Sequence, residues 1–505
     1  MNKIFTFISF LVLFLSACVE DEPVGESTPD PGPITAGSAD FSTYVALGNS
    51  ITAGYSDLAL FMSGQEDSYP NMLANQFALA GGGDFEIPLM ADDLGGLTLN
   101  GNPLEGFGNR LILSFASDPP TPIPVEGQGM TEVSDILTGP FNNMGVPGAK
   151  SFHLSVSGYG NVGGVALGLA NPYFTRFASS STASILGDAV AQEPTFFSLW
   201  IGINDVLNYV VAGGDGIDQG GNLDAATYGS SDISDPNVVA VSITSILEAM
   251  DGIEAGGVIA NIPDLTTIPY LTTVPHNPVP LDEATAANLN AAYATYNQTI
   301  TAFSTNMNPL MTPLITPEEA EKRQITFAAG DTNAVVILDE DLTDLTSISP
   351  ALVSMRQATE DDLIVLTAST FIGSLADPDN EDSVNGVAIP LADKWVLTPD
   401  EQETAKAAIS AYNQSIQGLA TLYGLAFVDA NALLASINEN GFPLSDGSTV
   451  TGAFATGGGY SLDGVHPSPR GSAIIANAFI EAINERYGSN LPLVDPLAFT
   501  GLYID

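Results

Sequence analysis

The chain has a single cysteine, few bases and few histidines, and each shortage excludes a chemistry. Of 505 residues only Cys18 is a cysteine, so neither an internal disulfide nor a Cys-x-x-Cys metal or redox site can form. Eleven Lys+Arg face 59 Asp+Glu, a net charge of −48. Nucleic acid needs cationic side chains to replace its counterions, so no nucleic-acid partner is expected. The acidity reads as surface solubility or high-salt adaptation and names no ligand. The histidines are His153, His276 and His466, and no His-Glu-x-x-His is present. That leaves too few ligands for a zinc hydrolase, and no metal is expected.

A membrane-length apolar run is missing as well. Ile4 to Leu15 is nearly all apolar but too short to span a bilayer, and it follows the basic start Met1-Asn2-Lys3. It suits the core of a secretory signal. The run ends in Leu15-Ser16-Ala17-Cys18, which resembles a bacterial lipobox. The resemblance implies a signal peptide over 1–17, cleavage before Cys18 and lipidation of Cys18. The chain would then be anchored by lipid in the bacterial outer membrane. Each buried acyl methylene adds about 0.8 kcal/mol to such an anchor. Glu20-Asp21-Glu22 is similar to the surface-export signal of Bacteroidetes lipoproteins, and reads equally as a soluble acidic tether. Residues 18–40, rich in Pro, Gly, Ser, Thr and acids, read as a flexible tether.

The rest can build a large core, since 45% of the chain is hydrophobic. Short apolar runs at Tyr44–Leu47, Thr195–Ile201, Gly257–Ala260 and Leu425–Asp429 read as buried strands. Helical periodicity is clearest at Val238–Met250, Glu283–Phe303, Asp400–Leu422 and Pro469–Tyr487. Non-alternating strands separated by helices predict an α/β fold, a three-layer α/β/α sandwich on a mostly parallel sheet. The core is expected over 41–304 and 396–488. Residues 80–140 read as an inserted loop region, 305–395 as an inserted subdomain or lid, and 489–505 as a tail. Tyr296-Asn297-Gln298-Thr299-Ile300 and Tyr412-Asn413-Gln414-Ser415-Ile416 are near copies, read as two helices packed in similar surroundings.

Four motifs carry chemistry. Gly48-Asn49-Ser50-Ile51-Thr52 offers a serine just past a strand end, where parallel sheets place their ligands. A serine hydroxyl needs a base to act as nucleophile. Asp463-Gly464-Val465-His466-Pro467 supplies one: an imidazole can accept and return a proton, and Asp463 can orient the His466 ring. Asn143-Met144-Gly145-Val146-Pro147-Gly148 and Gly202-Ile203-Asn204-Asp205 supply donors for a tetrahedral oxyanion. The candidates are the backbone N–H groups of Ser50 and Gly148 and the side-chain amide of Asn204. Spacing alone leaves Gly145 as an alternative to Gly148. Asp205 reads as a turn acid. His153 reads as a structural histidine near the pocket, and His276 as a loop residue.

The ordered set resembles blocks I, II, III and V of the SGNH hydrolases, the GDSL esterase/lipase family. That resemblance implies a flavodoxin-like sheet, ester hydrolysis without metal or organic cofactor, and Ser50, Gly148, Asn204 and His466 as signature residues with Asp463 completing the triad. The family's Gly-Asp-Ser reads Gly48-Asn49-Ser50 here, which removes no catalytic group. The expected partner is a small-molecule, lipid or glycan ester. A non-catalytic glycan- or lipid-binding lipoprotein and an acyltransferase on the same site stand as alternatives. Gly158 to Gly163 matches G-x-G-x-x-G without a strand before it, so a dinucleotide site is disfavoured. The absence of G-x-S-x-G disfavours an α/β-hydrolase. Asp377, Asp379, Glu381 and Asp382 read as a solvated acidic loop.

Overall fold

A computed structural model describes residues 32–116, 120–305 and 313–504. Cys18, the expected 1–17 signal and residues 18–31 of the expected tether lie outside these residues. No helix among the described residues is long and apolar enough to cross a membrane.

Five strands make the central sheet: β1 (Tyr44–Gly48), β2 (Asn143–Gly145), β3 (Phe196–Trp200), β4 (Gly256–Ala260) and β5 (Ala426–Val428). Their order is β2-β1-β3-β4-β5 and every neighbouring pair is parallel. This is the doubly wound arrangement whose switch point lies between β1 and β3. Every residue of β1 and β3 is buried, which explains why these runs do not alternate. β2 is read in the sequence only as a motif. Its three residues, two of them Asn and Gly, carry no strand propensity, and pairing with β1 makes them a strand.

The main helices are α1 (Ser50–Ala53), α2 (Tyr69–Ala78), α3 (Asn204–Val211), α4 (Pro236–Asp251), α5 (Glu283–Ser304), α6 (Pro399–Leu422), α7 (Ala430–Asn440) and α8 (Pro469–Tyr487). One sheet face packs on α2 and α8, with the Phe196 ring 5.6 Å from Phe77 and the Trp200 ring 5.9 Å from Phe479. The helices α3, α4 and α6 pack together as the other layer. Periodicity places α4 and α6 slightly short at their starts, because each begins with a proline just after its cap. Asp235 accepts from the amides of Asn237 and Val238, and Thr398 forms a capping box with Glu401.

The near-copied segments dock alike. Asn413 bonds both the N–H and C=O of Ile262, each at 2.8 Å, while Tyr412 donates to the Ser234 carbonyl at 2.5 Å. Asn297 pairs with the N–H and C=O of Ile325 at 3.1 and 2.8 Å, and Tyr296 donates to the Val353 and Met355 carbonyls. Within 80–140 a hairpin pairs Leu111–Ser114 with Thr121–Pro124. The C-terminal segment returns to it, where the Arg110 guanidinium lies 4.9 Å from the Phe61 ring and 4.7 Å from the Tyr503 ring, the two rings meeting edge to face at 5.6 Å. Within 305–395, Val336–Leu338 pairs with Met355–Gln357, and Leu363–Ile364 pairs with Val396–Leu397.

Candidate active site

Ser50 opens α1 directly after β1. Asn49 caps that turn, its Oδ1 accepting the Ile51 N–H at 3.1 Å, and the serine side chain is left at the sheet's switch point. His466 reaches it from 416 residues away: Nε2 lies 2.9 Å from the Ser50 Oγ. On the other side of the ring, Nδ1 lies 2.9 Å from Asp463 Oδ2. With the proton on Nδ1, that nitrogen donates to Asp463 and Nε2 accepts from the serine hydroxyl. The Tyr55 ring packs against the imidazole at 4.7 Å and limits its tilt.

Asp463 is buried, and both of its oxygens have partners. Its Oδ1 accepts from Ser461 Oγ, Val465 N and His466 N at 2.8 to 2.9 Å, and its Oδ2 accepts the Leu58 N–H at 3.0 Å. Burial by itself would raise this carboxyl, but the His466 charge and these donors hold it at about 2. The Leu58 contact was not readable from the sequence. Ser56 to Ala59 close a tight turn in which Asp57 and Leu58 take φ of 50° and 68°, values that favour glycine or asparagine. Nothing about a leucine announces such a conformation. Asp57 adds a second brace, its N–H on Ser461 Oγ and its Oδ1 on the Leu462 N–H. Burial pushes its own carboxyl up to about 7.

The two glycines of the second motif separate cleanly. The Gly145 N–H is committed to Asn143 Oδ1 at 3.0 Å. A Cβ on Gly145 would meet the Ala53 amide nitrogen at 2.3 Å, so this glycine lets β2 approach α1. Gly148 lies exposed in the mouth beside Ser50, at φ +79°, with nothing within 4 Å of where a Cβ would stand. Its N–H has no intramolecular acceptor among the described residues. Asn204 begins α3, is buried, and gives one Nδ2 hydrogen to the Ala149 carbonyl at 3.0 Å, which leaves the other free.

Asp205 is no turn acid. It is completely buried, and its two oxygens take the Ser151 N–H at 2.7 Å and the Ser151 hydroxyl at 3.0 Å. It thereby ties the loop after Gly148 to α3. His153 stays apart from the triad: its Nδ1 accepts the Lys150 N–H at 3.0 Å, and its ring stacks on Tyr159. Burial and then the Lys150 charge press its pKa down to about 4. His276 serves through its backbone, its carbonyl accepting the Val335 N–H.

Two spaces meet at the Ser50–His466 pair. One is an open mouth of about 410 Å³ bounded by Gly148, Asn204, Tyr55, Leu58, Phe107, Tyr173 and Tyr270. The other is a narrow cavity of about 100 Å³ running inward between Trp200, Ile203, Leu265, Ile268, α7 and Ile474. The cavity wall is almost wholly apolar. Residues 305–395 line neither space among the described residues. They back the mouth, the Thr367 hydroxyl lying 3.2 Å from that of Tyr270.

No family profile matches the sequence, and no curated protein matches it. Among solved structures the chain is similar to a point variant of Axe2, an acetyl-xylooligosaccharide esterase from Geobacillus stearothermophilus. Identity is 11%, covering 88% of this chain and 95% of that one, with a TM-score of 0.31. It is also similar to a protein described as a GDSL-like lipase from Parabacteroides merdae, at 10% identity over 89% and 99% of the two chains, again with a TM-score of 0.31. At such TM-scores neither likeness carries an argument about this chain.

Proposed function

We propose that the chain is a serine ester hydrolase of the SGNH type, and that it prefers esters with a short-to-medium apolar acyl chain. One observation carries the reading: Ser50 Oγ, His466 and Asp463 form a continuous hydrogen-bonded line with both links at 2.9 Å. Ser50 Oγ attacks the acyl carbonyl while its proton passes to His466 Nε2. The new imidazolium is held by ionised Asp463. The carbonyl oxygen, now an anion, faces the free N–H groups of Ser50 and Gly148 and the free amide hydrogen of Asn204. His466 then returns the proton to the departing alcohol. Water enters, is deprotonated by the same nitrogen, and releases the acid from Ser50.

The cavity supports the acyl preference. An apolar cavity of about 150 Å³ takes benzene, so one of about 100 Å³ takes roughly four carbons beyond the carbonyl. The open mouth is left for the alcohol. Turnover of p-nitrophenyl esters from acetyl to palmitoyl tests both parts. Specificity, kcat/KM, should rise about fourfold per methylene and peak between butyryl and hexanoyl. Ser50→Ala should lose at least a thousandfold on every ester while keeping the melting temperature within a few degrees. Undiminished Ser50→Ala activity removes the mechanism. A profile that is highest on acetyl removes only the acyl assignment. Anchoring through Cys18 belongs to the same proposal, and a lipid mass on the N-terminal peptide of protein taken from cell envelopes is its test.

A further inference from the structure

At the opposite end of α3 from Asn204, roughly 12 Å along the helix axis, lies a group of three acids: Glu401 is buried, Asp393 half-buried and Glu340 exposed. Glu340, Asp393 and Glu401 each present a carboxylate oxygen, and these oxygens lie within 4.8 Å of one another. Glu401 is only 6% exposed. Its Oε2 is occupied by the N–H and hydroxyl of Thr398 at 2.6 and 2.8 Å. Its Oε1 is buried with no partner, and so is Asp393 Oδ1. Gly214 follows α3 and presses on the same oxygen: a Cβ there would stand 1.9 Å from Glu401 Oε1.

Among the described residues no ion pair joins this group to a cationic side chain. Arg356 is committed to Asp339 at 2.5 Å and to Asp362 through two bonds of 2.7 Å. Lys394 turns its ammonium over the Trp395 ring, 5.1 Å from the centroid. Asp215 and Asp339 add further negative charge around Asp393. Three ionised carboxylates cannot share so small a volume without a positive charge between them. A buried polar atom without a partner is destabilising, and this group has two.

We propose that Glu340, Asp393 and Glu401 bind a divalent cation of the hard, oxygen-liganded kind, with Ca²⁺ the best match. The donors are all carboxylate oxygens, which excludes the preference of Zn²⁺ or Cu²⁺ for nitrogen and sulfur. Ca²⁺ tolerates irregular oxygen shells, whereas Mg²⁺ demands a near-ideal octahedron. Glu340 is exposed, so water can fill the remaining positions and the ion has a way in. The bound ion joins the 339–341 segment, Asp393 and the first turn of α6 against the end of α3. It is a structural tie remote from Ser50, and it stands independently of the proposed ester hydrolysis.

The test is calorimetric titration of Ca²⁺ and Mg²⁺ into the EDTA-stripped full chain, with thermal melts beside it. Wild type should bind one Ca²⁺ more tightly than Mg²⁺, and its melting temperature should rise by about 3–5 °C at a hundredfold excess of ion over Kd. Glu340→Gln replaces an exposed ligand and should fold normally, melting in EDTA no lower than wild type. It should lose the calorimetric heat and the Ca²⁺-dependent rise together, and Asp393→Asn should do the same. Identical wild-type melts in Ca²⁺ and EDTA, with no heat, would overturn the site in favour of a shared proton. An equal response from wild type and Glu340→Gln would overturn it too, placing the ion elsewhere on the acidic surface.

Discussion

Two buried carboxylate corners sit on the same fold and end in opposite states. At the Ser50 end, Asp463 receives four N–H or O–H donors besides the histidine ring nitrogen, and stays ionised at about 2. At the far end of α3, Glu401 has one oxygen capped and one bare, and burial together with the neighbouring Glu340 pushes its carboxyl up. Both residues are buried to a similar degree, 6% exposed each. Burial alone therefore does not decide the charge; the donors and the sign of the neighbouring charge do, His466 beside Asp463 and Glu340 beside Glu401. The chain completes the first corner itself, with main-chain amides held by turns, and leaves the second corner short of positive charge.

Removing charge from the completed corner gives the largest expected effect. Asp463→Asn should lower kcat about a thousand- to ten-thousandfold, because an amide cannot hold the Nδ1–H tautomer or the imidazolium. Steady-state kinetics on a butyryl ester at pH 7.5 would show it. Retention of a tenth of the activity would mean that the contrast between the corners has no bearing on catalysis. Asn204→Ala should cost about a hundred- to a thousandfold in kcat with little change in KM, since its free hydrogen meets the oxygen only once charge develops.

A smaller effect sharpens the comparison through acid. The Asp463 pKa lies below the ordinary carboxylate value, so its contribution to stability is complete above about pH 4 and is lost as pH falls through about 2. Urea melts from pH 5 to pH 2 should lose about 2 kcal/mol over that window, and Asp463→Asn should lose that part of the slope. The smallest expected effect concerns the turn that delivers the Leu58 N–H. Leu58→Gly suits the observed φ of 68° and keeps the amide, so it should stabilise the fold by up to about 1 kcal/mol with kcat changed less than threefold. Leu58→Pro removes the donor and should lower both stability and kcat.

Much of this architecture can be read from residue order. The sheet shows through the apolar runs before Gly48 and Gly202, and the last helix through Ser468, Pro469 and Gly488, which bound it as caps. The Ser50, His466 and Asp463 contacts rest on motifs in which residue types and order both carry meaning. What could not be read depends on three-dimensional closeness. β2 becomes a strand only beside β1. Asp205 becomes a buried bracket only because Ser151 folds over it. Leu58 joins the triad's surroundings through its backbone, which is blind to side-chain identity. The acids of the second corner come from positions 340, 393 and 401, with no motif linking them.

The bracket formed by Asp205 has a mechanical consequence. Gly148 lies on a loop and Asn204 at the start of α3, yet the carboxylate next to Asn204 grips the chain only three residues beyond Gly148. The two amide groups then behave as jaws of one clamp, sharing each other's thermal drift as the mouth breathes. Their mutual spacing is preserved even where their distance from solvent is not.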